Sequence, residues 1–206
     1  MKPDFAQFLE LARKRRTSRG YLDKPVSQEA IRNILEAARW APSAANTQAW
    51  EFIVVSAPAI KLEIQQAFLD EALEHEDLRY RKVTEQQATL LLDPALIAVC
   101  GKPASRARFV NTNELVDRSQ DELYLLGMGA MIQNMLLAAT ALGLDSTWIA
   151  RLARIIKVRQ ILKLPENMEL IAFISIGYSS QKLTASEGRR IPVMERTYLD
   201  CYGQLY

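Results

Sequence analysis

Arg15, Arg16 and Arg19 place three guanidiniums within five residues, with Thr17 and Ser18 between them. A guanidinium is a planar fork of N–H donors that matches phosphate oxygens in pairs and stays charged throughout the physiological range. The two hydroxyls can donate to the same oxygens. A cluster of this composition suits a terminal phosphate. The same residues also fit the solvated basic end of a helix, where Lys14 extends the run and cations complement the macrodipole. A nucleic-acid patch is a third reading. Against it stands the charge balance: 26 Lys and Arg against 24 Asp and Glu give +2 over 206 residues, no general footprint for a polyanion.

A second polar cluster, Pro42-Ser43-Ala44-Ala45-Asn46-Thr47-Gln48-Ala49-Trp50, sits between a predicted helix and a predicted strand. Ser27 is a suitable N-cap, with Val26 and Ile31 as a hydrophobic staple. Ile31, Ile34, Leu35 and Ala38 recur at helical spacing, and Pro42 stops the helix near Ala41. The strand is Glu51-Phe52-Ile53-Val54-Val55. The intervening stretch fits an ordinary polar loop, although its nine residues exceed the usual helix-to-strand connection and favour a site.

Taken together the two clusters are more specific than either. Arg15-Arg16-Thr17-Ser18-Arg19 followed by Tyr21, Lys24-Pro25-Val26, Ala37-Ala38-Arg39-Trp40-Ala41-Pro42-Ser43 and Asn46-Thr47-Gln48-Ala49-Trp50 resembles the N-terminal third of FMN-dependent nitroreductases. Ala141-Leu142-Gly143-Leu144-Asp145-Ser146-Thr147-Trp148-Ile149, Leu164-Pro165-Glu166, the strand ending Ile176-Gly177-Tyr178, and Arg190-Ile191-Pro192 are similar to later segments of that family. The resemblance implies an α+β fold in which helices surround a central mixed sheet of about four or five strands, in an intertwined homodimer. It implies FMN as bound cofactor and NAD(P)H as transient co-substrate. Hydride would pass through flavin N5 to a nitroaromatic, quinone or similar acceptor in ping-pong fashion. The alternatives it allows are a specialised relative (a reductive dehalogenase, a flavin-fragmenting enzyme or a metabolite dehydrogenase) and a non-catalytic flavin-binding protein.

By the same resemblance, Arg15 and Thr17 hold the FMN phosphate with Arg16 beside them, and Arg190, or its neighbour Arg189, is a second phosphate arm. Arg19 belongs nearer the ring, by N1 and O2, where a fixed cation raises the reduction potential. Pro42, Ser43, Asn46 and Gln48 reach the flavin from the partner subunit. No side chain is assigned as an acid–base catalyst, because the flavin carries the chemistry. Ala44 and Ala45 depart from the family pattern by removing a serine, Ala49 by removing a proline, and Asp145 by replacing a glycine.

Length and composition agree with one domain over 1–206, with 179–206 as a C-terminal arm toward the partner. Apolar residues at 49% and charged residues at 24% are ordinary for a globular protein. Cys100 and Cys201 form neither a disulfide framework nor a metal motif, and with no secretory signal in view a reducing cytoplasm is expected. His75, the sole histidine, lies among acids and reads as a surface residue. No Gly-x-Gly-x-x-Gly fingerprint is present, so no resident dinucleotide site is expected.

Leu123–Leu144 carries no charge over 22 residues, enough to span a bilayer, yet Gln133 and Asn134 stand at its middle and no basic anchor flanks it. It reads as a helix buried on nearly all sides. The remaining map comprises an amphipathic helix with Phe5, Phe8, Leu9 and Ala12, and two helices over 60–92. A strand over Ala95–Cys100 precedes a polar, lid-like stretch over 104–120. A strand near Thr147, a helix over 154–163 and a central strand over Glu169–Ile176 follow. Tyr198, Tyr202 and Tyr206 recur at helical spacing in the tail.

Overall fold

The structure, a computed structural model, describes residues 4–102, 114–150, 156–179 and 190–206. The elements are α1 (Phe5–Lys14), α2 (Gln28–Arg39), β1 (Trp50–Val55), α3 (Pro58–Glu74), α4 (Leu78–Thr89), β2 (Ala95–Gly101), α5 (Glu114–Ala141), β3 (Asp145–Ile149), α6 (Ile156–Ile161) and β4 (Glu169–Gly177). The four strands lie in the order β1-β2-β4-β3. The architecture is α+β, as expected. Every named strand pair is antiparallel. The parallel component of the expected mixed sheet is a single bridge, Thr17 to Ser146, on the open edge of β3.

Local chemistry explains the helix limits. Ser27 Oγ accepts from the Ala30 N–H at 3.1 Å and starts α2, while Val26 and Ile31 are both buried beside it. Asp4 and Asp77 cap α1 and α4 in the same way. Asn134, one of the two amides in the apolar helix, donates to the Ala37 carbonyl at 3.1 Å. It thereby adds a second donor to a carbonyl in the last turn of α2 that also accepts from the Trp40 N–H at 3.3 Å.

The sheet has a core on each face. Ile97, Val99, Ala172, Ile174 and Ile176 meet α2 and α5 on one side. Leu96, Ala98, Cys100, Leu170 and Phe173 meet α3, α4 and α6 on the other. Positions 170 and 172 should share a face by simple alternation. They do not, because the β2–β4 register slips: Val99 pairs with Ala172 but Cys100 with Leu170. Ile171 is the extra residue of a β-bulge, a device that re-aims side chains beside functional sites. Burial pushes the Cys100 thiol up to about 11, which keeps it protonated and inert.

One polar pair sits at the edge of the second core. Lys61 is buried and donates Nζ–H to the carbonyls of Asp93 and Pro94, while the Asp93 carboxylate accepts from Ser175 Oγ. Burial outweighs that hydrogen bond and the Lys61 charge, and pushes Asp93 up to about 6. A folded-state value above the unfolded one means that ionised Asp93 lowers stability above pH ~6, a deficit that fades as pH falls toward ~4. Asp93→Asn is therefore expected to melt higher than the parent at pH 8, with the gap closing by pH 4.5. A gap independent of pH would contradict this.

The structure adds detail to several expectations. Residues 114–120 of the anticipated lid are the first turns of α5, and 103–113 lie outside the described residues. The Asp121–Ala141 stretch is long and apolar enough to cross a membrane, but Met131, Ile132 and Met135 are fully buried in the core. It is not enclosed on all sides, since Leu123, Leu125 and Leu126 are exposed within the chain. The amphipathic α1 likewise leaves Phe5 and Phe8 exposed. Tyr198 and Tyr202 are not on a helix: Tyr198 bridges Leu205 in a local hairpin, and the two rings pack at 4.6 Å. His75 is exposed, its Nδ1 accepting from the Asp77 N–H and its ring stacked on Tyr80.

Candidate functional site

Helix α1 ends at Arg15, whose backbone leaves the helical region while its N–H still reaches the Leu11 carbonyl. The chain then runs along the edge of β3, where Thr17 bridges Ser146 and the Ser18 N–H donates to the Ser146 carbonyl at 3.3 Å. This docking opens a cavity of about 610 Å³ between α1, α5, β3 and the C-terminal segment. Arg13, Arg15, Thr17 and Arg190 line it, with Gln133 and Leu136 from α5 and Trp148 from β3. None of these lining residues is acidic. Burial, then the like charges of Arg190 and Arg16, hold the Arg15 guanidinium below its usual pKa. Cations crowded together, with no countercharge among the described lining residues, describe a site that gains stability when an anion enters.

A second cavity, of about 340 Å³, shares Trp148 with the first. Its walls are Leu125, Met128, Gly129 and Ile132 of α5, together with Ala150 and the bulge residue Ile171. A Cβ built on Gly129 would meet nothing within 4 Å, so this glycine leaves the slot open. A cationic chamber thus adjoins an apolar one, and the pair suits a ligand with a phosphate at one end and a flat ring at the other.

The polar loop occupies a different place. Ser43 Oγ accepts from the Gln48 N–H at 3.0 Å, and Gln48 Nε2 donates to Asn46 Oδ1 at 3.0 Å. Ala45, Asn46 and Gln48 all adopt positive φ (46°, 54° and 44°). Three non-glycine residues in the left-handed region concentrate strain in one short turn, as functional loops do. Pro42 and Ser43 pack on Gly127 of α5, where an added Cβ would lie 3.6 Å from Ser43. Pro42, Asn46 and Gln48 are exposed.

The structure therefore brings Arg15, Thr17 and Arg190 together, with half-buried Arg16 acting on Arg15 through its charge. It does not place Arg19, Pro42, Ser43, Asn46 or Gln48 among the residues lining the cationic cavity, and Arg19 is exposed. Arg189 lies outside the described residues. Ser18 is buried and its hydroxyl donates to the Gly20 carbonyl at 3.1 Å, which makes it an anchor of the turn. Sequence reasoning missed Arg13, Gln133 and Trp148 as lining residues. Gln133 carried a signal, an amide in the middle of an apolar helix. Trp148 stood in a matched segment without a role.

Comparison with known proteins bears on the family and the fold. The sequence model described as the nitroreductase family matches residues 12–178. An Archaeoglobus fulgidus protein named as an NADH dehydrogenase/NAD(P)H nitroreductase is 30% identical over 173 residues, covering 82% of this chain and 84% of that protein. The iodotyrosine deiodinase of Nematostella vectensis is 27% identical over 210 residues, covering 95% of this chain and 75% of that protein. A nitroreductase from Bacteroides fragilis, solved with bound FMN, has the same fold: TM-score 0.69 at 24% identity, covering 89% of this chain and 97% of that one.

Proposed function

The chain belongs to the nitroreductase family, a family of oxidoreductases, and on that premise we propose that it is an FMN-dependent NAD(P)H oxidoreductase acting on nitroaromatics, quinones or similar small acceptors. The observation that carries the proposal is the crowding of Arg15, Arg16 and Arg190 at a cavity with no acid among its described lining residues, next to an apolar slot. Arg15, Thr17 and Arg190 would hold the phosphate. Trp148, Gly129, Ile132 and Ile171 would receive the ring and keep water from it. When bound, FMN supplies hydride transfer between donor and acceptor. The fold neighbour from Bacteroides fragilis carries that cofactor, which supports the choice of flavin.

A homodimer is part of this reading. Phe5 and Phe8 of α1, Leu125 and Leu126 of α5, and Val193 in the tail are exposed apolar side chains. A second copy covering them would bring its own Pro42–Gln48 loop to the apolar end of the site, uniting the two separated clusters. Arg19 would add its charge near the ring from the edge of the same segment.

Steady-state oxidation of NADH and NADPH by the FMN-loaded protein, with and without a nitroaromatic or quinone, tests the activity. Acceptor-dependent turnover with parallel double-reciprocal lines is expected, because donor and acceptor would use one site in turn. Flavin bound without acceptor-dependent turnover would overturn the oxidoreductase reading in favour of a flavin-binding protein. The deiodinase similarity gives dehalogenation as a second reading, and a halogenated tyrosine belongs in the same acceptor series.

A further inference from the structure

The cationic cavity lies on one face of the sheet, but the Thr147 side-chain hydrogen bond that ties down its Arg15–Ser18 wall, beyond the backbone bonds at the β3 edge, is on the other. Trp148 faces the cavity; by alternation Thr147 and Ile149 face away, and Ile149 is in the second core. Thr147 Oγ1 donates to the Ser18 carbonyl. Each hydroxyl has a single proton. With its own proton committed, Thr147 can only accept from the Tyr21 hydroxyl, 3.1 Å away, and that hydroxyl also lies 3.3 Å from the Ser175 carbonyl. Thr147 thus donates to Ser18, and the single Tyr21 proton is shared between two acceptors, Thr147 Oγ1 and the Ser175 carbonyl.

The chain around Tyr21 is built for this contact. It passes round the β3 edge, entering through the Thr17–Ser146 bridge and leaving through a Tyr21–Ser179 bridge and the Leu22 N–H to Tyr178 carbonyl bond of 2.8 Å. A Cβ on Gly177 would fall 2.7 Å from Tyr21 Cδ1 and 3.1 Å from its Cβ, so the ring lies against bare backbone. Burial, aided by the nearby carboxylates of Asp93 and Asp145, pushes Tyr21 up to about 12, against the opposing effect of its contacts with Thr147 and Ser175. The phenol therefore keeps the proton it donates.

We propose that Tyr21 and Thr147 are positioning residues, a hydroxyl clasp on the far face of the sheet that holds the Arg15–Ser18 turn in its phosphate-binding geometry. The clasp rests on the reading that this cavity takes the FMN phosphate. Neither residue lines the cavity. Their effect therefore falls on the phosphate and spares the ring, which riboflavin, lacking the phosphate, can report.

The test measures FMN and riboflavin dissociation constants by flavin fluorescence for the unaltered protein, Thr147→Val, Thr147→Ser and Tyr21→Phe. Thr147→Val is expected to weaken FMN about tenfold, the scale of one buried hydrogen bond, and to leave riboflavin unchanged. Thr147→Ser restores the hydroxyl and should restore FMN affinity. Tyr21→Phe keeps the ring on Gly177, so it reads the hydroxyl even if the valine variant folds poorly, and should weaken FMN by a smaller factor. Equal loss of FMN and riboflavin, or no rescue by serine, would overturn the clasp while leaving the proposed function intact. An unaltered protein that binds neither flavin would overturn both.

Discussion

Arg15→Ala is expected to weaken FMN binding by about two to three orders of magnitude while leaving the unliganded protein as stable as its parent or more so. Removing one partner of a desolvated charge pair is worth about 2–5 kcal/mol, and each 1.4 kcal/mol is tenfold. In the unliganded chain the same guanidinium is half-buried and repelled by Arg190 and Arg16, so its loss relieves crowding. These opposite signs separate a ligand-binding arginine from a structural one. Melting curves with and without FMN read both: at a ligand concentration of ~100 Kd the parent gains about 2.7 kcal/mol, which the variant should forfeit. Arg15→Lys should fall between, because an ammonium keeps the charge without the planar fork. A variant that melts lower without ligand and binds FMN as the parent does would make Arg15 a structural residue.

Gly129→Leu addresses the other end of the site. Gly129 lies inside α5, and its missing Cβ faces open space at the wall of the apolar slot. Leucine is the better helix former by several tenths of a kcal/mol, up to about 1. The variant should fold at least as well as the parent. Its side chain would occupy part of the roughly 340 Å³ into which the ring is proposed to go. Loss of FMN and riboflavin together, by about a hundredfold or more, is expected on the scale of overfilling a packed site by a few kcal/mol. The contrast with Arg15→Ala is informative: one substitution should abolish binding of the ring-bearing ligand whether or not it is phosphorylated, the other should act on the phosphate alone. Gly129→Leu protein that binds riboflavin normally would move the ring elsewhere.

The readable features were those decided by local chemistry. Ser27 as a cap, Pro42 as a helix stop and the doubly apolar β4 each follow from nearby residues, and each is found. The cationic end of the candidate site was legible as well, because clustered guanidiniums and hydroxyls announce themselves in a short window. What escaped depends on contacts distant in sequence. The Ile171 bulge is a property of strand pairing, invisible in an apolar run. Gln133 and Trp148 reach the cavity only once α5 and β3 are docked. The spacing of Tyr198 and Tyr202 matches a helix by period alone, but the pairing of Tyr198 with Leu205 wins and makes a hairpin. Pro42–Gln48 was grouped with Arg15–Arg19 through the family resemblance, and a single chain keeps the two apart.

The most direct test of the account is the visible spectrum of the purified protein after incubation with FMN and removal of free ligand, followed by identification of the released chromophore. A yellow protein that releases FMN, near one per chain, is the expected result. A protein that stays colourless would contradict the flavin site and leave the Arg15–Arg19 cluster as a solvated basic end of α1.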